Sequence, residues 1–203
     1  MKFLLIISKA IDAFMLLVGK AVTWLTLLVV IISAGNAIVR KILNDSSNAW
    51  LEIQWYLFGA IFLLAAGYTF MKNEHVRVDI LNQRFSPKVQ MIIELVGVAF
   101  FMLPACLLIV YLSIPFVELA YTTGEMSSNT GGLIRWPIKL VIPVGFSLLA
   151  LAGVSHFIKC LAFLCGKGPN PLEKSRGKSE DSMMDSIAQQ AQLEQQQSLK
   201  KAD

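Results

Sequence analysis

The chain has 203 residues, of which 55% are apolar and only 16% charged, and carries a formal net charge of +4. Soluble domains average about 25% charged residues, so this composition excludes an ordinary soluble protein. The few basic residues are dispersed, which excludes a nucleic-acid-binding patch, and four apolar runs leave no length for a separate soluble enzyme domain.

Those runs, residues 21–39, 53–71, 95–117 and 140–158, contain no Asp, Glu, Lys or Arg. At 1.5 Å per residue, about 19 helical residues reach about 28 Å, against a hydrocarbon core of about 30 Å. In lipid each backbone N–H and C=O must be satisfied within its own segment, so the runs are expected to be helices. The expected fold is an all-α membrane protein with four transmembrane helices. Residues 1–20 form an N-terminal cytoplasmic or interfacial segment, 21–165 the transmembrane domain, and 166–203 a largely disordered cytoplasmic tail.

In chain order, the N-terminal segment carries Lys2, Lys9 and Lys20. Its apolar run is cut by Lys9 and Asp12 and is followed at once by a full span, which argues against a cleaved signal peptide. Residues 8–19 are expected either to lie along the interface or to extend the first helix. Asn36, within the first span, is a candidate for hydrogen bonding to another helix. Asn48 is placed to cap the second helix, with Glu52 in its first turn, where the dipole favours a carboxylate. Ser86-Pro87 and Trp136-Pro137 read as the starts of the third and fourth helices. Pro104, Pro115 and Pro143 lie inside spans and can kink them. The loop between the last two spans, with Gly124, Ser127, Ser128, Asn129, Gly131 and Gly132, is turn-forming. Beyond Cys165, glycines and prolines give way to a charged, Gln-rich tail without the apolar residues to bury it.

Basic residues fix the expected orientation. Fourteen of the 18 Lys and Arg lie in the N-terminal segment, the loop after the second span, and the tail. By the positive-inside rule both termini are cytoplasmic. Trp24, Trp50, Trp55 and Trp136 lie near span ends as interfacial anchors.

No residue pattern points to catalysis, a metal or a cofactor. Cys106, Cys160 and Cys165 make no C-x-x-C pair and are expected to be reduced thiols. His75 and His156 leave a bis-histidine haem as a geometric alternative, the mark of a cytochrome-like membrane anchor of a redox complex. Intramembrane charge usually marks an ion or proton pathway, and its absence from the four runs is expected of a partner to a transporter. In the second loop His75, Arg77 and Asp79 alternate with Val76, Val78 and Ile80. An extended backbone would place the three polar residues on one face, with Arg77 and Asp79 close enough to pair. The segment is thus either a fixed contact with a partner or lipid surface, or an ordinary charged cytoplasmic loop.

Three segments resemble a known family: Glu52-Ile-Gln-Trp-Tyr-Leu-Phe-Gly-Ala60, Glu74-His-Val-Arg-Val-Asp-Ile-Leu81, and Ser128-Asn-Thr-Gly-Gly-Leu-Ile-Arg-Trp-Pro-Ile-Lys139 running into Pro143-Val-Gly-Phe146. Over residues 10–160 the chain resembles the small integral-membrane subunit, DctQ-like, of the tripartite ATP-independent periplasmic (TRAP) transporters. The resemblance implies a non-enzymatic subunit of the bacterial inner membrane, without cofactor or metal. Its implied partners are a large multi-span permease subunit and a periplasmic solute-binding protein that delivers an organic acid for sodium-driven uptake. It implies no catalytic residues. Glu52, Trp55, His75, Arg77, Asp79 and Asn36 are the candidate partner or structural contacts.

Overall fold

A computed structural model describes residues 2–43, 47–72, 85–166 and 168. Among them are four long helices: α1 (Lys2–Leu43), α2 (Asn48–Lys72), α3 (Pro87–Thr122) and α4 (Trp136–Leu164), each long and apolar enough to cross a bilayer. The described residues form no strand beyond one isolated bridge, Met126 to Ile134.

α1 is 42 residues long, and residues 8–19 continue it without a break. At 1.5 Å per residue it spans about 63 Å, roughly twice the hydrocarbon thickness. Packing holds its N-terminal half. Met15 is fully buried in a cluster with Leu148 and Ala152 of α4, flanked by Leu64, Phe70 and Met71 of α2.

α4 is the axis of the bundle and packs on all three other helices. Its buried positions include Gly145, Ala152, Gly153, Ser155 and Ala162. Small residues let membrane helices approach closely, where packing rather than water exclusion drives association. The α2–α4 seam shows this in both directions. A β-carbon on Gly67 would stand 3.0 Å from the Leu148 carbonyl oxygen, and one on Gly145 would stand 2.9 Å from that of Leu63.

α3 starts as its sequence suggests, with Ser86 extended before Pro87 and the Gln90 N–H bonded to the Ser86 carbonyl at 3.0 Å. The Ser86 hydroxyl makes no capping bond. Residues Gly97–Met102 widen into a π-helical turn just before Pro104, and the Leu103 N–H reaches back to the Val98 carbonyl. Proline cannot donate to the ladder, and a widened turn takes up that missing bond. Pro115 and Pro143 lie inside α3 and α4.

Two local expectations shift by one residue. Asn48 is the first helical residue of α2 rather than its cap, and Glu52 falls in the second turn. The side chains of both are directed to the α3–α4 loop, which competes successfully for them.

Candidate functional site

The first polar cluster joins the head of α2 to the α3–α4 loop. Asn48, Glu52 and Tyr56 are spaced i, i+4, i+8 and share one helix face. Asn48 Nδ2 donates to the Thr130 carbonyl at 3.0 Å, and the Tyr56 hydroxyl to the Ile134 carbonyl at 3.3 Å. Between them the Glu52 carboxylate, 9% exposed, accepts three bonds from the loop. Its donors are the Ser127 hydroxyl, the Asn129 amide at 2.9 Å and the Leu133 N–H at 2.7 Å. Bonds to an ionised acceptor are roughly twice as strong as neutral ones.

The loop is shaped to present those donors. Gly124 and Gly131 take left-handed φ values of 59° and 73°, which β-carbon-bearing residues resist. The Ser127 N–H bonds the Leu133 carbonyl and the Arg135 N–H the Glu125 carbonyl, both at 2.9 Å, on either side of the Met126–Ile134 bridge. Glu125 is paired in turn by Lys139, with Arg135 at 4.0 Å. The Lys139 ammonium also sits 3.8 Å from the centre of the Phe116 ring. Tyr121 and Trp136 meet edge to face. The loop is therefore a folded cap on one end of the bundle.

The second cluster ties α1 to α4 at the opposite end. Ser8 and Ser155 hydroxyls lie 2.8 Å apart, and the Ser155 hydroxyl donates to Asp12 Oδ1 at 2.7 Å. Lys159 closes the network on Asp12 Oδ2 at 2.6 Å. Nearby, His156 Nε2 lies 3.3 Å from Glu94 of α3, with the Phe70 ring of α2 set edge-on to the imidazole. Each end of the bundle is thus locked by side chains from four elements.

Of the candidate residues, Glu52 is the centre of the first cluster. Trp55 projects outward and is 78% exposed. Asn36 lines an open recess of about 460 Å³ between α1 and α2. His75, Arg77 and Asp79 lie outside the described residues. Sequence reading overlooked Tyr56, Ser127 and Asn129 as loop–helix partners. It also overlooked the Ser8, Asp12, Ser155 and Lys159 network. The available signal was polar residues four apart on an apolar helix: 48, 52 and 56; 8 and 12; 155 and 159. Among the described residues no three His, Cys, Asp or Glu side chains converge as a metal site would require.

The described residues form a four-helix membrane bundle, capped at one end and laced at the other by its own side chains. A family profile described as "Tripartite ATP-independent periplasmic transporters, DctQ component" matches residues 28–163. The chain belongs to that family and is the small membrane component of such a transporter. The family is one of transporter components rather than enzymes, and membership does not favour the cytochrome-anchor alternative. No curated protein and no solved structure matches the chain. The match covers both halves of the Glu52 cluster, so two of the three segments that carried the resemblance meet in space.

Proposed function

We propose that this subunit is a rigid scaffold for a large multi-span permease in the bacterial inner membrane, working with a periplasmic binding protein in sodium-driven uptake of an organic acid. The observation that supports this most directly is where the charge lies. Glu52, Glu125, Lys139 and Arg135 are engaged with one another's elements at one end, and Asp12, Lys159, Glu94 and His156 at the other. Between them the described helices carry one Asp, Glu, Lys or Arg, the exposed Lys20 of α1, and a single outward-facing cation is no path along which a carboxylate could shed its water at a tolerable cost. Large side chains such as Phe62, Phe100, Phe101 and Tyr111 instead face outward at 72–77% exposure, available to lipid or an apolar partner.

Both termini and the loop at residues 73–84 are assigned to the cytoplasm, from the basic residues that flank them. That places the Glu52-anchored cap on the periplasmic face, where a binding protein docks. Arg77 and Asp79 are assigned to a contact with the large subunit on the other face.

The test is co-purification and vesicle reconstitution, with and without the large subunit and binding protein. Sodium-dependent uptake is expected only from the complete set, and Arg77→Ala or Asp79→Ala should reduce uptake together with assembly. Uptake by this chain alone, or failure to co-purify in mild detergent, would refute the scaffold. External thiol reagents should reach a cysteine placed at Ser128 but not at Asn82 in intact cells; the reverse pattern would overturn the orientation.

A further inference from the structure

The seam between α1 and α2 has two recesses, one above the other. The upper one, about 460 Å³, is bordered by Ser33, Asn36, Arg40, Lys41 and Gln54. Ser33 donates to Gln54 Oε1 at 3.0 Å, and this fixes the amide. Gln54 Nε2 is then buried without a hydrogen-bond partner, a costly state for a donor. Among the described residues Arg40 and Lys41 have no ion-pair partner. They are also half of the four basic residues on this side of the membrane, against fourteen on the other. Cations left unpaired among the described residues and gathered at one point select an anionic oxygen group.

One turn below Ser33 the second recess begins, about 560 Å³ and almost wholly apolar, bordered on α1 by Val30, Leu27, Thr26 and Val22 down to Gly19. Thr26 and Thr23 spend their hydroxyls on their own helix, at the Val22 and Gly19 carbonyls, so they show the groove only their methyl faces. From Val30 to Gly19 is eleven rises, about 16 Å, and half of a hydrocarbon core is about 15 Å. The Ser33–Gln54 bond sets the upper recess level with the start of the apolar run of α2. The bordering residues of both recesses follow steps of three and four down one face of each helix.

We propose that this seam seats one phospholipid, its phosphate held by Arg40 and Lys41 at the mouth of the polar-bordered recess and one acyl chain lying in the apolar groove. A free organic acid would fill only the upper part. A transmembrane helix, about 10–12 Å across, would lie over the slot rather than in it and would set apolar side chains against two cations. The proposal does not depend on the transport reading.

The test is native mass spectrometry of the full chain in mild detergent titrated with phosphatidylglycerol. Wild type should retain one lipid. Arg40→Gln/Lys41→Gln should retain it about tenfold less well or worse, as expected for losing charged hydrogen bonds, while Lys88→Gln on α3 should match wild type. Thr26→Phe, which fills the apolar groove and leaves the cations in place, should also weaken retention. Equal retention in the Arg40/Lys41 variant would overturn the proposal. So would displacement of the lipid by inorganic phosphate with no effect of Thr26→Phe, which would mean a site for a free anion. A photo-reactive side chain at Asn36 should yield a lipid adduct in membranes holding the whole transporter, and adducts to protein alone would assign the seam to a neighbouring subunit instead.

Discussion

Gly145→Ala is the most direct perturbation of the α2–α4 seam on which the bundle rests. The new β-carbon would lie 2.8 Å from Leu63 Cβ and 2.9 Å from the Leu63 carbonyl oxygen, where ordinary contact begins at 3.4 Å. Neither obstacle is the free end of a side chain, so α2 and α4 must separate by about half an ångström along the seam, the difference between those distances. Close-packed interiors absorb such an insertion at about 1–3 kcal/mol. A protein of this size loses about 2–4 °C of melting temperature per kcal/mol, so the expected fall is about 2–12 °C. Gly67→Ala, 3.0 Å from the Leu148 carbonyl oxygen, should act in the same direction. Gly35→Ala is the control, because nothing lies within 4 Å of its β-carbon, and alanine is the better helix former by about 1 kcal/mol. The assay is thermal unfolding of each purified variant in one mild detergent. A Gly145→Ala protein that melts with Gly35→Ala would refute the argument that glycine sets the α2–α4 distance.

Glu52→Gln replaces an acceptor of three bonds by a group whose own N–H₂ must face the loop's donors, so the cap should open more often. Hydrogen exchange over residues 125–135 should rise about tenfold or more while α4 exchange stays unchanged; unchanged exchange in the loop would show that the other loop bonds suffice. At the opposite end, Asp12→Ala leaves Lys159 without its acceptor and the Ser155 hydroxyl with Ser8 alone, whereas removing Lys159 as well relieves the charge. The double variant should therefore be less destabilised than the sum of the singles in a thermal double-mutant cycle, with a coupling of about 1 kcal/mol or less because the pair is partly solvated. Strict additivity would mean that the ion pair contributes nothing to holding α1 on α4.

The helices were legible because lipid leaves so few alternatives: an uncharged run of sufficient length has only one way to satisfy its backbone. Ser86-Pro87 located the start of α3 to the residue, and Trp136-Pro137 that of α4 to within one, for the same local reason. What was not legible is what the ends of those helices do. Asn48 and Glu52 have the chemistry of a cap and a first-turn acid, and by local rules alone that is where they belong. A loop some eighty residues away outbids the local role by offering Glu52 three donors, and no one-dimensional pattern states that the two segments meet. The Ser8 and Asp12 side chains were hidden for a related reason. They look like interruptions of an apolar run, and become intelligible only when α4 supplies Ser155 and Lys159 at the same four-residue spacing.

The two clusters supply the rigidity that the proposed scaffold requires. A polar lock at each end and glycine contacts between them leave little freedom for α1, α2 and α4 to slide, since sliding by one turn would leave Glu52, Asp12 and Lys159 each without partners. α3 is different. It packs chiefly on α4, carries a π-helical turn ahead of Pro104, and exposes Phe100 and Phe101 at 73% and 74% on that turn. π-Turns relax the helical ladder where they occur. The side of the bundle built from α1, α2 and α4 is therefore the part that suits the proposed scaffold. α3 is the helix able to adjust, and its two aromatic rings stand exposed on the turn that permits it.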